Sequence, residues 1–301
     1  MLIVAHRKLF FAITGALVLL ALGSLVFFGL HLGTDFTGGT LAEVRYSGER
    51  PDAKILSASL DAGGLKAYSL REAGTNGYIL RAGALSNDTR GNLAKSFSVG
   101  NKYPATVDRL TEVGPTIGLE LRNKALVALG LVLLCILLFI AFAFRKVSKP
   151  VSSWVYGLIA LITLVHDVII PVGFYAALGY FLGAQVDTLF VTAVLTVLGF
   201  SIHDTIVVFD RVRENLRVNE ERNRRENFAE TAGRSLNQTF VRSINTSLTV
   251  LATLLVLFFI GPESTRDFAL TLLVGIIAGT YSSIFLAMPL LVVWEKRRAK
   301  K

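Results

Sequence analysis

Six long apolar runs, separated by short polar stretches and by one longer mixed region, set the pattern of this chain. Each run is long enough for a helix that crosses a bilayer core of roughly 30 Å, because an α-helix rises about 1.5 Å per residue. The pattern predicts a membrane protein with six transmembrane helices, TM1 to TM6, at residues 9–32, 125–144, 153–182, 187–209, 240–260 and 268–294.

The first run follows a charged segment, His6-Arg7-Lys8, as the core of a signal peptide would. A signal peptide has an apolar core of about 7–15 residues and a small-residue cleavage site. The run here is longer and shows no clear site. Residues 1–32 are therefore predicted to be an N-terminus and an uncleaved TM1.

The mixed region at residues 33–122 carries charged residues, glycines and turns between short alternating segments. Ala42, Val44 and Tyr46 alternate with charged residues, as in a half-buried strand. The order of predicted elements is β-α-β-β-α-β, which is the pattern of an α+β ferredoxin-like domain. Its strands are expected at 40–46, 66–72, 77–82 and 105–113, and its helices at 51–62 and around Leu93 and Phe97.

The distribution of positive charge orients the spans. The chain is 52% hydrophobic, with a mean hydropathy of +0.56 and a net charge of +9. Eighteen Lys and Arg residues lie on one side of the predicted spans. They are found at the N-terminus, after TM2, after TM4 (in the loop at 211–239 and at Arg242) and in the tail at 295–301. The two short loops on the opposite side hold only Arg266. By the positive-inside rule the basic side is cytoplasmic, with both termini, and domain 33–122 lies outside. Topology thus explains the charge, and a nucleic-acid partner is not expected.

Ionisable residues interrupt the apolar pattern of the bundle at 123–294. TM4 contains His203 and Asp204, TM3 contains His166 and Asp167, and Arg242 opens TM5. A charged side chain at the centre of a membrane helix costs about 2.5–3.5 kcal/mol or more, so it is usually functional. By helical rise, Asp204 lies about 25 Å and Arg242 about 27 Å from the outer ends of their helices. The two opposite charges therefore share one depth, as a pair that protonation could switch.

These charges predict a proton relay through Asp204 and Arg242, with His203 and Asp167 as further candidates. A polar track is expected to accompany the relay, because residues at steps of three and four share one helical face. That face would contact TM4 or a partner; the alternative is a set of small polar residues that only hold helices together. The track comprises Ser201 on TM4 and Asn245, Thr246, Thr249 and Thr253 on TM5.

Other chemistry is less well matched by the residues. Adjacent His-Asp pairs project about 100° apart, which is poor geometry for two ligands of one metal ion. Ser201 lacks a Gly-x-Ser-x-Gly elbow, so a hydrolase is not supported. No enzymatic reaction and no cofactor are predicted.

Two further patterns predict packing rather than chemistry. Phe228, Ala232 and Leu236 recur every fourth residue, which fits an amphipathic helix at the cytoplasmic membrane surface within loop 211–239. Gly275 and Gly279 are spaced four apart in TM6, which favours close helix contact.

Three motifs resemble those of the SecF family of protein-export membrane subunits. Gly33-Thr-Asp-Phe-Thr-Gly-Gly39 is similar to the family motif after TM1, and Val113-Gly-Pro-Thr-Ile-Gly118 to the motif before TM2. The TM4 signature is the most specific, and it differs at His203, where the family commonly has Asn. It reads Gly199-Phe-Ser-Ile-His-Asp-Thr-Ile-Val-Val-Phe-Asp-Arg-Val-Arg-Glu-Asn215.

The resemblance implies a six-helix half of an RND-type bundle in the inner membrane, completed by SecD. It implies a periplasmic domain that touches preprotein, and use of the proton-motive force, with protons as coupling ion, after SecYEG and SecA have acted. Asp204 and Arg242 match the essential carboxylate and arginine of the family. Two alternatives stay open: half of an RND-like small-molecule exporter, which would need a larger external domain, and a non-conducting translocon scaffold whose charges only fix helix register.

The predicted topology can be checked with single cysteines. We expect a cysteine at Ser86 to react with a membrane-impermeant maleimide in intact cells, and one at Asn223 to react only after permeabilisation. The unmodified chain, whose one cysteine is Cys135 in TM2, is the control. Labelling of both positions from the same side would contradict the six-span topology.

Overall fold

A computed structural model describes residues 6–145, 151–224 and 226–298 of the chain. Part of the predicted positive charge lies outside the described residues, namely Lys146, Lys149, Arg225, Lys300 and Lys301. The chain forms two compact units. One comprises Met1–Leu30, Ala128–Ala184 and Leu189–Lys301, and the other His31–Val127 with Gln185–Thr188.

The smaller unit is built on a four-stranded antiparallel sheet of order β2-β3-β1-β4. The strands are β1 (Gly39–Tyr46), β2 (Tyr68–Ala73), β3 (Gly77–Ala82) and β4 (Ala105–Val113), and the helices are α2 (Thr34–Thr37), α3 (Ala53–Ala62) and α4 (Asn87–Phe97). The predicted ferredoxin-like pattern is confirmed. Its core forms because the apolar face of β1 packs against both longer helices, through Ala42, Val44, Leu56, Leu60 and Phe97.

The two glycine motifs of this unit contact each other. Gly38 has a φ of +78°, and a Cβ there would lie 2.8 Å from the Cα of Pro115. A Cβ on Gly118 would lie 2.9 Å from the backbone nitrogen of Gly38. Only glycine fits both the left-handed backbone and the close approach at Gly38. In the same unit the Asp35 carboxylate accepts hydrogen bonds from the backbone N–H (2.9 Å) and hydroxyl (2.6 Å) of Thr188.

The larger unit is a helical bundle. Within the described residues the chain has six helices long and apolar enough to cross a membrane, which confirms the predicted number. They are α1 (Arg7–Phe28), α5 (Pro115–Ala143), α6 (Ser153–Leu182), α7 (Thr188–Glu221), α8 (Phe228–Ile260), and a sixth that joins a 3-10 turn (Glu263–Thr265), α9 (Arg266–Ser282), a π-helical turn (Ser283–Ala287) and α10 (Met288–Arg298). Helices α6, α7 and the sixth are the most buried, and α1, α5 and α8 the least.

The end of TM4 and the start of TM5 differ from the prediction. TM4 was expected to end near residue 209, with a loop and a surface helix at 211–239, but α7 continues to Glu221 and α8 begins at Phe228. The apolar residues Phe228, Ala232 and Leu236 are buried in the bundle core rather than facing a membrane surface. The charged residues of α7 form ion pairs three and four apart, which support a helix in water.

A cluster of polar side chains ties these two helix ends into a hairpin. The amide of Asn219 donates to Glu226 (2.7 Å) and to the hydroxyl of Thr231 (3.0 Å). Arg234 donates to Glu226 (2.6 Å) and to Asn219 (3.1 Å), and its ion pair with Glu226 is partly buried. Asn227 and Glu230 form a capping box at the start of α8. We call Asn219, Glu226, Thr231 and Arg234 the hairpin cluster.

The hairpin cluster gives a pH dependence. The hydrogen bond from Arg234, above all, holds the pKa of Glu226 below its ordinary value of 4.5. A depressed folded-state pKa stabilises the fold above the unfolded value, and that stabilisation is lost as pH falls through the folded value. We expect the protection of residues 219–224 and 226–234 against hydrogen exchange, relative to the unfolded rate at the same pH, to fall below about pH 4.5 in the wild type. Glu226→Gln should abolish this pH dependence of the protection, and the same loss of protection in both proteins would contradict the assignment.

Candidate functional site

Asp167 is the centre of a buried polar contact set in the membrane bundle. Its side chain is fully buried on α6. One carboxylate oxygen, Oδ1, accepts from Nδ1 of His166 (2.8 Å). The other, Oδ2, accepts from the hydroxyls of Ser201 on α7 and Ser282 on α9 (2.8 Å for Ser282). Three helices therefore meet at one carboxylate, which the sequence had marked as a candidate only from its burial.

Asp204 lies on the same buried face of α7 as Ser201, three residues further along. Its side chain is 2% exposed, and its Oδ2 has no hydrogen-bond partner among the described residues. Ser247, His203 and Arg242 are the polar groups that act on the carboxylate electrostatically. A buried carboxylate oxygen without a partner is costly, which marks Asp204 as a site with free bonding capacity.

Arg242 does not form the expected ion pair. Among the described residues no ion pair within 4 Å joins it to Asp204, and the Arg242 side chain is exposed on the outside of α8. Its effect on the carboxylate is a through-space charge interaction. The two charges lie at similar depth on α7 and α8, but the rotation of α8 about its axis points Arg242 away from Asp204.

The residues of the predicted polar track also differ in burial. Ser201 is buried, whereas His203, Asn245 and Thr249 are exposed and Thr246 is half-buried. The threonines bond the carbonyls of their own helix, for example Thr249 to Asn245 (2.7 Å) and Thr246 to Arg242 (2.9 Å). The α8 face of the track therefore does not face α7.

The polar face of α8 that does point into the bundle was missed. Ser243 and Ser247 are 1% and 2% exposed, and a hydrogen bond of 2.6 Å joins the hydroxyls of Ser247 and Thr280. The spacing of four between Ser243 and Ser247 was a usable signal. A second polar face, which begins with Arg242 one position earlier, runs beside these two serines along the same helix. Ser282 on α9 has no such local signal.

Small residues bring α9 close to α7. A Cβ on Gly275 would lie 2.3 Å from Cγ2 of Val197, and one on Gly279 would lie 2.9 Å from Cβ of Ser201. The glycine pattern of TM6 is thus a contact face within this chain. Gly279 matters for the site, since it lets Ser201 and Ser282 reach the same carboxylate.

The site is not arranged for a metal. Within the described ranges no group of three or more His, Cys, Asp or Glu side chains could hold a metal ion. What the contacts do provide is two buried carboxylates, one imidazole and several hydroxyls in the interior of a membrane bundle. Such groups can accept, hold and pass protons.

A six-helix membrane bundle with ionisable groups in its central helices and an inserted ferredoxin-like sheet has the RND-like fold. The family model for the C-terminal part of the protein export membrane proteins SecD and SecF matches residues 94–297, and the SecD/SecF GG motif matches residues 23–49. Protein translocase subunit SecF of Thermobaculum terrenum is 40% identical over 98% of this chain and 94% of its own length. SecF of Anaerolinea thermophila is 38% identical over 97% of this chain and 94% of its own length. The chain belongs to the SecF family of protein translocase subunits.

A solved relative shows the same fold. The crystal structure of SecDF from Thermus thermophilus, a translocon-associated membrane protein, superposes with a TM-score of 0.83 at 34% identity. The match covers 98% of this chain but only 38% of the SecDF chain. The chain therefore corresponds to one part of that longer protein.

The contact at Gly279 can be tested by substitution. In Gly279→Leu the new side chain meets Ser201, and overpacking of this kind costs about 1–3 kcal/mol. We expect a lower Tm in detergent and less complex with SecD on blue-native gels. Gly130→Leu on α5 is the matched control, because no atom lies within 4 Å of a Cβ there. Equal stability of both variants would refute the contact.

Proposed function

We propose that this chain works with SecD in the inner membrane and uses the proton-motive force to promote late stages of preprotein translocation. In this proposal Asp204 is the coupling carboxylate and protons are the coupling ion. Translocation through SecYEG, after the action of SecA, supplies the preprotein. The basic side and both termini are cytoplasmic, the sheet domain is periplasmic, and the chain catalyses no reaction and needs no cofactor.

The observation that carries the proposal is the buried, half-satisfied carboxylate of Asp204. A structural carboxylate in a membrane helix normally has both oxygens paired, because hydrocarbon offers no substitute for water. Asp204 keeps one oxygen without a partner among the described residues. Protonation removes that cost and deprotonation restores it, so the charge state biases the packing of α7. Moving one elementary charge across 100 mV is worth about 2.3 kcal/mol, which is enough to shift such an equilibrium.

The exposed polar faces of α7 and α8 support SecD as the partner. His203 on α7, and Arg242, Asn245 and Thr249 on α8, are exposed in this chain. Polar groups at membrane depth normally face protein or a water-filled cavity. A second membrane subunit would cover them, and Arg242 would then lie between the two subunits. The Thermus SecDF relative, of which this chain spans 37%, leaves room for such a second part.

Export into membrane vesicles tests the role of Asp204. Vesicles carrying this chain with its SecD partner would be given a preprotein, SecA and ATP, with or without a proton gradient. We expect the gradient to accelerate late translocation in the wild type and to have no effect in Asp204→Asn, because an amide cannot release a proton.

Asp210→Asn is the matched control, since Asp210 lies on the same helix but its side chain is 54% exposed and paired with Arg213. We expect this variant to respond like the wild type. If Asp204→Asn assembles with SecD and still responds to the gradient, the coupling role is wrong. The non-conducting scaffold would then account for the buried charges.

A further inference from the structure

We propose that His166 is a second proton-carrying residue of this bundle, positioned by Asp167, whose carboxylate contacts Ser201 one helical turn before Asp204. The inference rests on the proposed function and extends it. It assigns Nε2 of His166, on α6, as an atom that receives a proton, whereas Asp204 lies on α7.

The hydrogen bonds of Asp167 define the free atom of His166. The carboxylate accepts from the hydroxyls of Ser201 and Ser282, so its Oδ1 is left to accept the Nδ1–H of His166 at 2.8 Å. An imidazole that donates through Nδ1 has its lone pair on Nε2 when it is neutral. Asp167 thus acts as a positioning residue that fixes the tautomer and ring orientation of His166.

Nε2 of His166 is the unusual atom of the cluster. The side chain is 4% exposed, and Nε2 has no hydrogen-bond partner among the described residues. A basic nitrogen that is buried without a donor has a lone pair free to accept a proton. Purely structural histidines are normally satisfied at both nitrogens.

The described contacts of this cluster include one charged group. Asp167 bonds the imidazole and the hydroxyls of Ser201 on α7 and Ser282 on α9, and Thr14 of α1 bonds the hydroxyl of Tyr281. The ring of Tyr281 lies 6.3 Å from the imidazole, and its hydroxyl bonds the carbonyl of Phe10 (3.1 Å). In the described part of the bundle, Asp167 is therefore the one charged neighbour in the contact set.

Buried hydroxyls lie near both carboxylates. Ser247 is the hydroxyl next to the Asp204 carboxylate, and it bonds Thr280 on α9 at 2.6 Å. Thr280 is two positions before Ser282, which bonds Asp167, so the two side chains point to different sides of α9 and no hydrogen bond joins them among the described residues. The link to Asp204 runs along α7, since Ser201 contacts Asp167 and lies one turn before Asp204. We call Ser201, Ser247, Thr280 and Ser282 the hydroxyl seam.

Two features of the backbone place the seam. The π-helical turn Ser283–Ala287 begins directly after Ser282, and such turns occur frequently at functional sites. Gly279 lets α9 approach Ser201, because a Cβ added at this position would lie 2.9 Å from Cβ of Ser201. The positions of the seam hydroxyls therefore depend on helix geometry as well as on residue type.

Histidine NMR tests the inference directly. The full chain, selectively labelled on its four histidines and co-reconstituted with SecD, would be measured, with His166→Gln assigning the His166 signal. We expect the ring nitrogen signals of His166 to show a proton on Nδ1 and a free Nε2. We expect Asp204→Asn to shift these signals.

Seam variants separate coupling through the hydroxyls from a general effect of charge. Ser201→Ala should reduce the shift of the His166 signals caused by Asp204→Asn. Thr249→Val combined with Thr253→Val, on the exposed face of α8, should leave it unchanged. A His166 ring that carries its proton on Nε2 instead of Nδ1, or His166 signals that Asp204→Asn leaves in place, would overturn the inference.

The vesicle assay distinguishes this failure from failure of the proposed function. We expect His166→Gln to lower the gradient response about tenfold, and Ser282→Ala to lower it less, with both variants still bound to SecD. If Asp204→Asn abolishes the response and His166→Gln keeps it, Asp204 is the coupling group and His166 is not a carrier. If Asp204→Asn keeps the response, the proposed function fails, while the NMR coupling still decides the inference.

Discussion

The absence of hydrogen-bonding solvent inside a bilayer is the constraint on which this bundle depends. Every polar group at that depth must be paired by protein or bear a cost. Here α6, α7 and α9 pair most of their polar groups with one another around Asp167, and they leave a small number unpaired. Those few include Oδ2 of Asp204 and Nε2 of His166.

The same constraint explains the two kinds of polar face in the bundle. The inner face of α8 carries hydroxyls that bond to α9, as Ser247 does with Thr280. The outer face carries Arg242 and Asn245, which are exposed among the described residues. The helix thus has one polar face inside the bundle and one that the proposed second subunit would cover.

Much of the fold follows from sequence pattern. The limits of α6 (Ser153–Leu182) and of strand β4 (Ala105–Val113) coincide with the predicted ones, because length and alternation decide them. The extension of α7 beyond residue 209 was hidden, since a solvated helix held by charge pairs resembles a charged loop in composition. The rotation of α8 could not be read either: polar residues lie on two of its faces, and only packing shows which one is buried. Ser282 reaches Asp167 across 115 positions of sequence, a contact that no local pattern encodes.

The length of α7 has a mechanical consequence. Its 34 residues extend about 50 Å, well beyond a core of roughly 30 Å, without a break in the helix. Asp204 lies near its middle, and the far end is clamped to α8 by Asn219, Glu226 and Arg234. A change in the tilt of so long a helix displaces its end more than its middle. In the proposed function, a tilt of α7 that follows the charge on Asp204 would therefore move the hairpin as a unit, with the start of α8 carried along.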